Sequence, residues 1–450
     1  MMTTTRQGLI ATSRRTGFAT LFLAPLLAAL PAGLPAALLG SAATLVCSAA
    51  QAQNATPATS AAAPAAAPAS PAPSSAAPSS PAPAAPAPLP TPPLTGPLQW
   101  LPPAVFDAGP LGKLSANGIV SGYGLAQNNP LPGDSTGQAT LSNGFLFIQK
   151  ADGPVQYFIQ TGAYAIPALA TPFLSAAATV KDFFGPVPVA FLKLPVGKTT
   201  TFEIGSLPTL MGAESTFTFQ NMNVERGLLW NQENAVNRGI QINQTLGKYL
   251  TASFSWNDGY YSDRYSWLSG SLTFTKGAHS LAFDAMGNAG STKFQTLATP
   301  VQNNSSMYAL IYTYTKGNWI IQPYYQFSDV PTDARVGVSQ GATTNGGALL
   351  LSYAFKHGFS LPARVEYLAT SGSATNGAVN LLFGPGSTGT SLTVTPTWQK
   401  SALFVRGDLA WVHAGSYASG DAFGSAGTSA SQFRAVAEIG ILFGSNITGK

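Results

Sequence analysis

From Asn237 to Asn257 polar and apolar residues alternate through two strand-length runs separated by Gly247-Lys248. Asn237, Gly239, Gln241, Asn243 and Thr245 share one face of the first run, opposite Ile240, Ile242 and Leu246, with Gln244 breaking the apolar set. In the second run Leu250, Ala252, Phe254 and Trp256 oppose Thr251, Ser253, Ser255 and Asn257. Successive side chains on a strand point to opposite faces, so the pattern predicts a hairpin with an oily side and a wet side. In a soluble sandwich the oily side meets a second sheet. Around an aqueous lumen it meets lipid, and the wet side meets water.

The same grammar repeats from about Gln99 onward. Tight connections rich in Gly and Lys fall at Ala151-Asp152-Gly153, Gly197-Lys198, Gly247-Lys248, Lys276-Gly277, Lys316-Gly317-Asn318, Lys356-His357-Gly358 and Gln399-Lys400. Between them lie longer polar connections at 127–137, 165–185, 209–236, 258–264, 289–304, 329–345, 371–388 and 413–429. Short and long alternate without a break, as they do in bacterial barrels with short turns on one side and long loops on the other. Seven turns and eight loops join sixteen strands. The predicted fold is all-β: a transmembrane antiparallel up-and-down barrel of about sixteen strands, with fourteen to eighteen compatible with the pattern.

Individual runs agree. Trp319, Ile321, Pro323, Tyr325 and Phe327 oppose Gln322, Tyr324, Gln326 and Ser328; Ala363, Val365 and Tyr367 oppose Arg364 and Glu366; Leu403, Val405, Leu409 and Trp411 oppose Arg406 and Asp408. Charges on a wet face suit a water-filled lumen, whereas a dry interior requires each to be paired. Tyr249, Trp256, Trp319, Trp398 and Trp411 fit aromatic girdles. Arg238 has oily-face parity and is placed at the outer rim. The final run sets Phe433, Ala435, Ala437, Ile439, Ile441 and Phe443 against Arg434 and Glu438, then continues through a tail from Gly444 to Lys450. Runs 138–150 and 154–164 alternate poorly, so their register is not readable from the pattern.

Composition narrows the solvent of the oily face. Only 9% of residues are charged, against about a quarter in soluble domains. Arg6, Arg14 and Arg15 precede an apolar run from Gly17 to Val46, and Ala50-Gln51-Ala52 forms a small-residue cleavage site. Residues 1–52 therefore read as a signal peptide; Pro25, Pro31 and Pro35 argue against a retained helix. No later stretch approaches the ~20 apolar residues of a spanning helix. Removing the signal leaves 19 basic against 17 acidic residues, a formal charge of +2 with no basic cluster of the kind nucleic-acid binders carry. The lone Cys47 leaves with the signal, which excludes disulfides from the remainder. Residues 53–98 are dominated by Ala, Pro, Ser and Thr and read as a disordered periplasmic spacer, with peptidoglycan as its nearest candidate neighbour. Residues 99–450 are left for the barrel.

One block carries more than strand grammar. Gly205-Ser206-Leu207-Pro208-Thr209-Leu210-Met211-Gly212-Ala213-Glu214 is followed by Asn221, Asn223, Glu225-Arg226-Gly227 and Leu229, then by Gly239 and Asn257-Asp258-Gly259. With these residues the stretch from Phe202 to Tyr260 resembles the OmpL-like family of β-barrel porins, and the likeness extends loosely over 99–443. The resemblance implies an outer-membrane pore that passes small hydrophilic solutes or ions by passive diffusion. It does not identify the solute. The block coincides with the third long loop, and in general porins the third loop narrows the barrel. The resemblance therefore implies a constriction built from Glu214, Glu225, Arg226 and Glu233, facing wall charges Arg364, Glu366, Arg406 and Asp408.

Other chemistry is thinly represented. His279 and His357 fall at short turns and His413 at an outer strand end, too scattered for a catalytic triad or a metal set. The reading assigns no catalytic residue, cofactor or metal. Its partners are outer-membrane lipid and small hydrophilic solutes, with a homo-oligomer left open and no nucleic acid. Two rivals remain: a closed barrel serving as an envelope anchor or adhesin, and a secreted soluble β-sandwich.

Overall fold

Alternation of this kind, repeated with compatible turns, closes on itself. The computed structural model describes residues 94–293 and 301–445, so the expected signal peptide and most of the expected spacer lie outside the described residues. A short strand, Ala104–Asp107, pairs back on the start of the barrel, whose own strands are β1 (Lys113–Gln127), β2 (Gly137–Lys150), β3 (Gln156–Tyr164), β4 (Val189–Val196), β5 (Thr200–Pro208), β6 (Val236–Thr245), β7 (Leu250–Asn257) and β8 (Trp267–Lys276). They continue as β9 (His279–Asn288), β10 (Ser306–Lys316), β11 (Trp319–Val330), β12 (Ala342–Ala354), β13 (Phe359–Thr370), β14 (Thr388–Val394, resumed at Thr397–Lys400), β15 (Leu403–Gly415) and β16 (Ser431–Phe443). Each pairs antiparallel with its neighbours in sequence, and β16 pairs with β1 from Arg434↔Gln127 to Phe443↔Gly118. The result is a closed sixteen-stranded barrel in which no sheet edge is left open. Pro396 lacks an N–H, and the ladder of β14 breaks there.

The two faces separate as the alternation predicts. Ile240, Phe254 and Trp256 are exposed on the outside, whereas Gln241, Ser255 and Asn257 are buried within. Val120, Leu146, Leu272, Val365, Leu409 and Ile439 carry the same exposed apolar face around the barrel. A soluble protein rarely exposes a contiguous apolar patch beyond a few hundred Å²; this surface is one that lipid solvates. Arg238 also points outward, at the loop end of β6, where it pairs with Asp258 (2.7 Å) and Asp263 (2.8 Å) and covers the Tyr261 ring.

The unreadable early register has a local cause. Ser121 pairs with Asn143 but Gly122 pairs with Leu141, so Ser142 is an extra residue in β2. A bulge of this kind reverses strand parity. Thr140 before it and Asn143, Phe145 and Phe147 after it consequently share the inner face. The second cause is that these inner residues are aromatic. Phe145, Phe147, Phe158 and Tyr164 face a filled interior, not water.

That filling comes from two segments. Residues 209–235, between β5 and β6, fold into the lumen, where Phe217 and Phe219 pack on the Phe145–Phe147 wall. Met211, Leu228 and Leu229 pack on a second wall group that includes Met286, Met307 and Leu368. The chain from Leu94 to Pro102, partly within the stretch read as spacer, lies against the same loop. Thr95 and Gly96 donate their N–H groups to the Gln220 carbonyl (2.8 and 3.0 Å), and Leu98 is buried.

Candidate functional site

The loop 209–235 reaches the middle of the barrel and is fastened there by charge. Glu214 accepts the Gly227 N–H (2.8 Å) and pairs with Arg364 of β13 (2.5 Å). Arg364 also donates to the Glu225 carbonyl (2.8 Å). Glu225 pairs with Arg434 of β16 (2.8 Å), and its N–H donates to Asp408 of β15 (2.8 Å). Arg406 donates to the carbonyls of Thr218, which opens the 3₁₀ turn Thr218–Gln220, and of Asn221 and Met222 just after it, and lies 3.4 Å from Glu438. Glu366 accepts the Leu228 and Leu229 N–H groups (3.0 and 3.4 Å) at the start of the 3₁₀ turn Leu229–Gln232. The freed amides at a helical N-terminus favour an anion there.

Two glycines make these approaches possible. A Cβ at Gly227 would overlap the Glu366 carboxylate, and one at Gly212 (φ +86°) would overlap that of Glu233. Asn221 closes a local turn by bonding Ser215 at both N–H and carbonyl (2.7 and 2.8 Å), while Asn223 donates to Thr395 in the break of β14 (2.6 Å). The spaced Gly, Glu, Asn and Glu-Arg-Gly residues of this block are thus the points at which the loop grips itself and the wall.

The eight charged residues singled out from sequence all point into the barrel or lie on the loop within it. Glu214, Glu225, Arg364, Glu366 and Asp408 form one connected network, while Arg406 grips the loop carbonyls separately and pairs with Glu438. Arg226 lies apart from that network's hydrogen bonds: its guanidinium stacks on Trp230, 5.2 Å from the ring centre, while its backbone bridges to Pro167 and Leu169. Glu233 faces the opposite wall, accepting the Tyr324 hydroxyl. The sequence places the wall charges in lumen water; here they are dry. Arg364, Arg406 and Asp408 have no exposed area, and every one of the sixteen strands contributes at least one buried inner side chain. Pairing, which a dry interior requires, has replaced hydration.

Below this level the wall is wetter on one side. Asn243, Ser253, Ser271, Thr313 and Gln322, on β6, β7, β8, β10 and β11, are partly exposed and polar. Above it a cavity of about 220 Å³ opens among Thr171, Asn231 and Asn380. A larger recess of about 410 Å³, beside Arg238, Ile240 and Trp256, lies on the outer face and does not belong to the lumen.

Sequence reasoning did not single out Asp284 of β9, which faces the lumen fully buried. The signal was present: it is the acid on the inner parity of Ser280, Ala282, Asp284, Met286 and Asn288. Arg434 and Glu438 were legible as inner-face charges but not as partners of the loop. The histidines stand apart from any such cluster. His413 bonds Ser431 (2.9 Å) and stacks on Trp411, and His279 bonds Tyr312 (2.6 Å) on the outside.

The family described as "Putative beta-barrel porin-2, OmpL-like" matches residues 113–443, the span from the first residue of β1 to the last of β16. No curated protein matches the chain. Among solved structures, the outer-membrane channel DcaP of Acinetobacter baumannii is similar at 9% identity and a TM-score of 0.50, covering 76% of this chain and 100% of its own. Outer-membrane expressed OmpT of Vibrio cholerae is similar at 11% identity and a TM-score of 0.50, covering 75% and 99%. At such identities the likeness is one of fold.

Proposed function

Because this chain belongs to the OmpL-like family of β-barrel porins and resides in the bacterial outer membrane, we propose that it conducts small hydrophilic solutes or ions by passive diffusion, with loop 209–235 as its gate. It catalyses no reaction; flux follows the concentration gradient. The observation that carries this reading is the contrast within the lumen. A polar, partly exposed wall runs along β6 to β11 up to the loop, and the loop is held by hydrogen bonds and ion pairs that a change of state can exchange for water.

A second reading is favoured by the dry belt. A barrel sealed at loop level is also what an envelope anchor or adhesin needs, with the Ala/Pro segment as its working part. Planar-bilayer recording separates the two. Correctly folded protein, verified by its shifted migration when unboiled, gives discrete conductance steps if it is a porin. A silent bilayer with inserted, folded protein selects the anchor.

A further inference from the structure

The cations of this chain are sorted by type and by end. Each of the seven tight turns carries one lysine, from Lys150 at the β2–β3 turn to Lys400 at the β14–β15 turn, and Lys113 opens β1. No described arginine falls in these turns. Only Asp107 and Asp152 oppose the eight lysines at this end, while Lys193 and Glu203, deeper in the wall, face each other at 3.9 Å. The long connections at the other end, loop 209–235 aside, carry six acids against four bases. The barrel therefore has a strongly positive short-turn rim and a slightly negative loop rim.

Turn geometry does not ask for lysine. The positive φ of these reversals is supplied by glycines such as Gly197, Gly247, Gly277 and Gly317, and the usual residue beside such a glycine is Asn, Asp or Ser. A closed barrel also has no edge for lysine to protect. Seven of the eight lysines are exposed; Lys150, paired with Asp152 at 2.7 Å, is the exception.

Their direction is outward. Lys316 stands opposite Trp319 and Lys400 opposite Leu403, and both partners are exposed on the lipid face. Residues paired across an antiparallel ladder share a face. Lys276 has the parity of the exposed Leu272 and Phe274. Its Nζ and that of Lys248 lie 5.8 and 5.1 Å from the ring centre of Tyr249. Tyr249, Phe274, Trp319, Phe355 and Phe359 are exposed aromatics at this level, and such belts mark where acyl chains give way to headgroups. A lysine stem lying along the belt carries its charge to the headgroup plane.

We propose that the short-turn rim is a binding ring for the phosphates of anionic phospholipids in the periplasmic leaflet, the side on which bacterial barrels keep their short turns. The lysines recur at every second strand around the whole circumference, about 10 Å apart by strand spacing. A surrounding leaflet touches all of that ring, whereas a polymer or a docked protein covers one arc of it. Lysine serves phosphate as a mobile point charge, without the fixed fork of an arginine. The ring acts in this way whether or not the barrel conducts.

Electron spin resonance on the refolded full chain in phosphatidylcholine vesicles tests this, comparing spin-labelled phosphatidylglycerol with spin-labelled phosphatidylcholine in the lipid shell. Wild-type protein holds phosphatidylglycerol about threefold more tightly, the average over a shell whose short-turn half gains about fivefold per lysine contact. In about 1 M salt, where screening acts within about 3 Å, the preference falls to near unity. Combining Lys248→Gln, Lys276→Gln, Lys316→Gln, Lys356→Gln and Lys400→Gln removes most of it, and arginine at the same five positions keeps it. Lys181→Gln with Lys293→Gln, on the long loops, leaves it unchanged. Unboiled-gel migration reports folding, and the salt series on wild-type protein decides the matter if the glutamine set does not fold. Equal association of the two lipids with wild-type protein overturns the proposal, as does a preference that survives high salt or the glutamine set. Lysine-dependent co-sedimentation with peptidoglycan sacculi, without any lipid preference, assigns the ring to the wall polymer and overturns it too.

Discussion

Glu233 is where a single side chain has the most leverage. It is carried by the loop, and burial raises its carboxyl well above the ordinary range against the opposing hydrogen bond from Tyr324; Glu214, Asp284 and Glu366 add to the rise. Glu214 is raised for the same first reason, burial, with Arg364 opposing it. A carboxyl whose value is raised in the sealed state binds its proton more tightly there than when hydrated. Protonation therefore favours the seal below the ordinary glutamate value of about 4.3, and that support is lost as pH rises through the raised value. Channel open probability should climb from acid to alkaline pH, and Glu233→Gln should flatten most of the climb. Stepped-pH recording on single channels checks this, and wild-type channels that open preferentially in acid contradict it. At this scale the sequence was half legible. Strand parity showed that Arg364, Glu366, Arg406 and Asp408 face the lumen, but parity does not report what occupies a lumen. Whether a charge there is wet or paired depends on a loop about 150 residues away in the chain, as in the Glu214–Arg364 pair.

Among elements, the hairpins were the readable part because their turns are governed by local chemistry. Gly247 and Gly317 take φ of +89° and +59°, a conformation most other residues resist, so a Gly at that position fixes where two strands reverse. The bulge at Ser142 left no comparable mark, since one extra residue alters parity without altering composition. Within the segment from Leu94 to Pro102, composition draws the border between spacer and barrel at residue 98, although Leu98 is itself buried. The segment's prolines resemble the spacer before it, yet Trp100 packs edge-on against Phe147 and Phe219 at 5.3 and 5.5 Å. The Gln399 side chain holds both the N–H and the carbonyl of Gln99, each at 2.8 Å, and Ser445 donates its N–H to the Pro102 carbonyl. This segment braces the loop from the short-turn side. Trp100→Ala should remove about 3–5 kcal/mol of packing and lengthen channel openings, measured as dwell times. Unchanged dwell times in a folded variant would show that the brace does not bear on the gate.

For the molecule as a whole, the barrel and its filling are separable in a way that a soluble core is not. The ladder closes through β16 and β1 without any contribution from loop 209–235, and the outer apolar face is solvated by lipid whether or not the lumen is filled. In an ordinary core, removing one member of a buried ion pair costs about 3–5 kcal/mol, because the partner charge stays buried. Arg364→Met in the intact chain should show that cost, since Glu214 and Glu366 lose their cation in a dry site. If residues 214–228 are instead replaced by a short Gly-Ser link, water enters, and Arg364, Arg406 and Arg434 pass from paired to hydrated. The shortened protein should keep its unboiled-gel shift and conduct without closing. In that background Arg364→Met should cost less than about 1 kcal/mol, the range of a solvated charge pair. A double-mutant cycle by chemical denaturation in detergent micelles measures the difference. Equal costs in both backgrounds would mean that the wall charges are structural by themselves, and that the loop rests on them without depending on them.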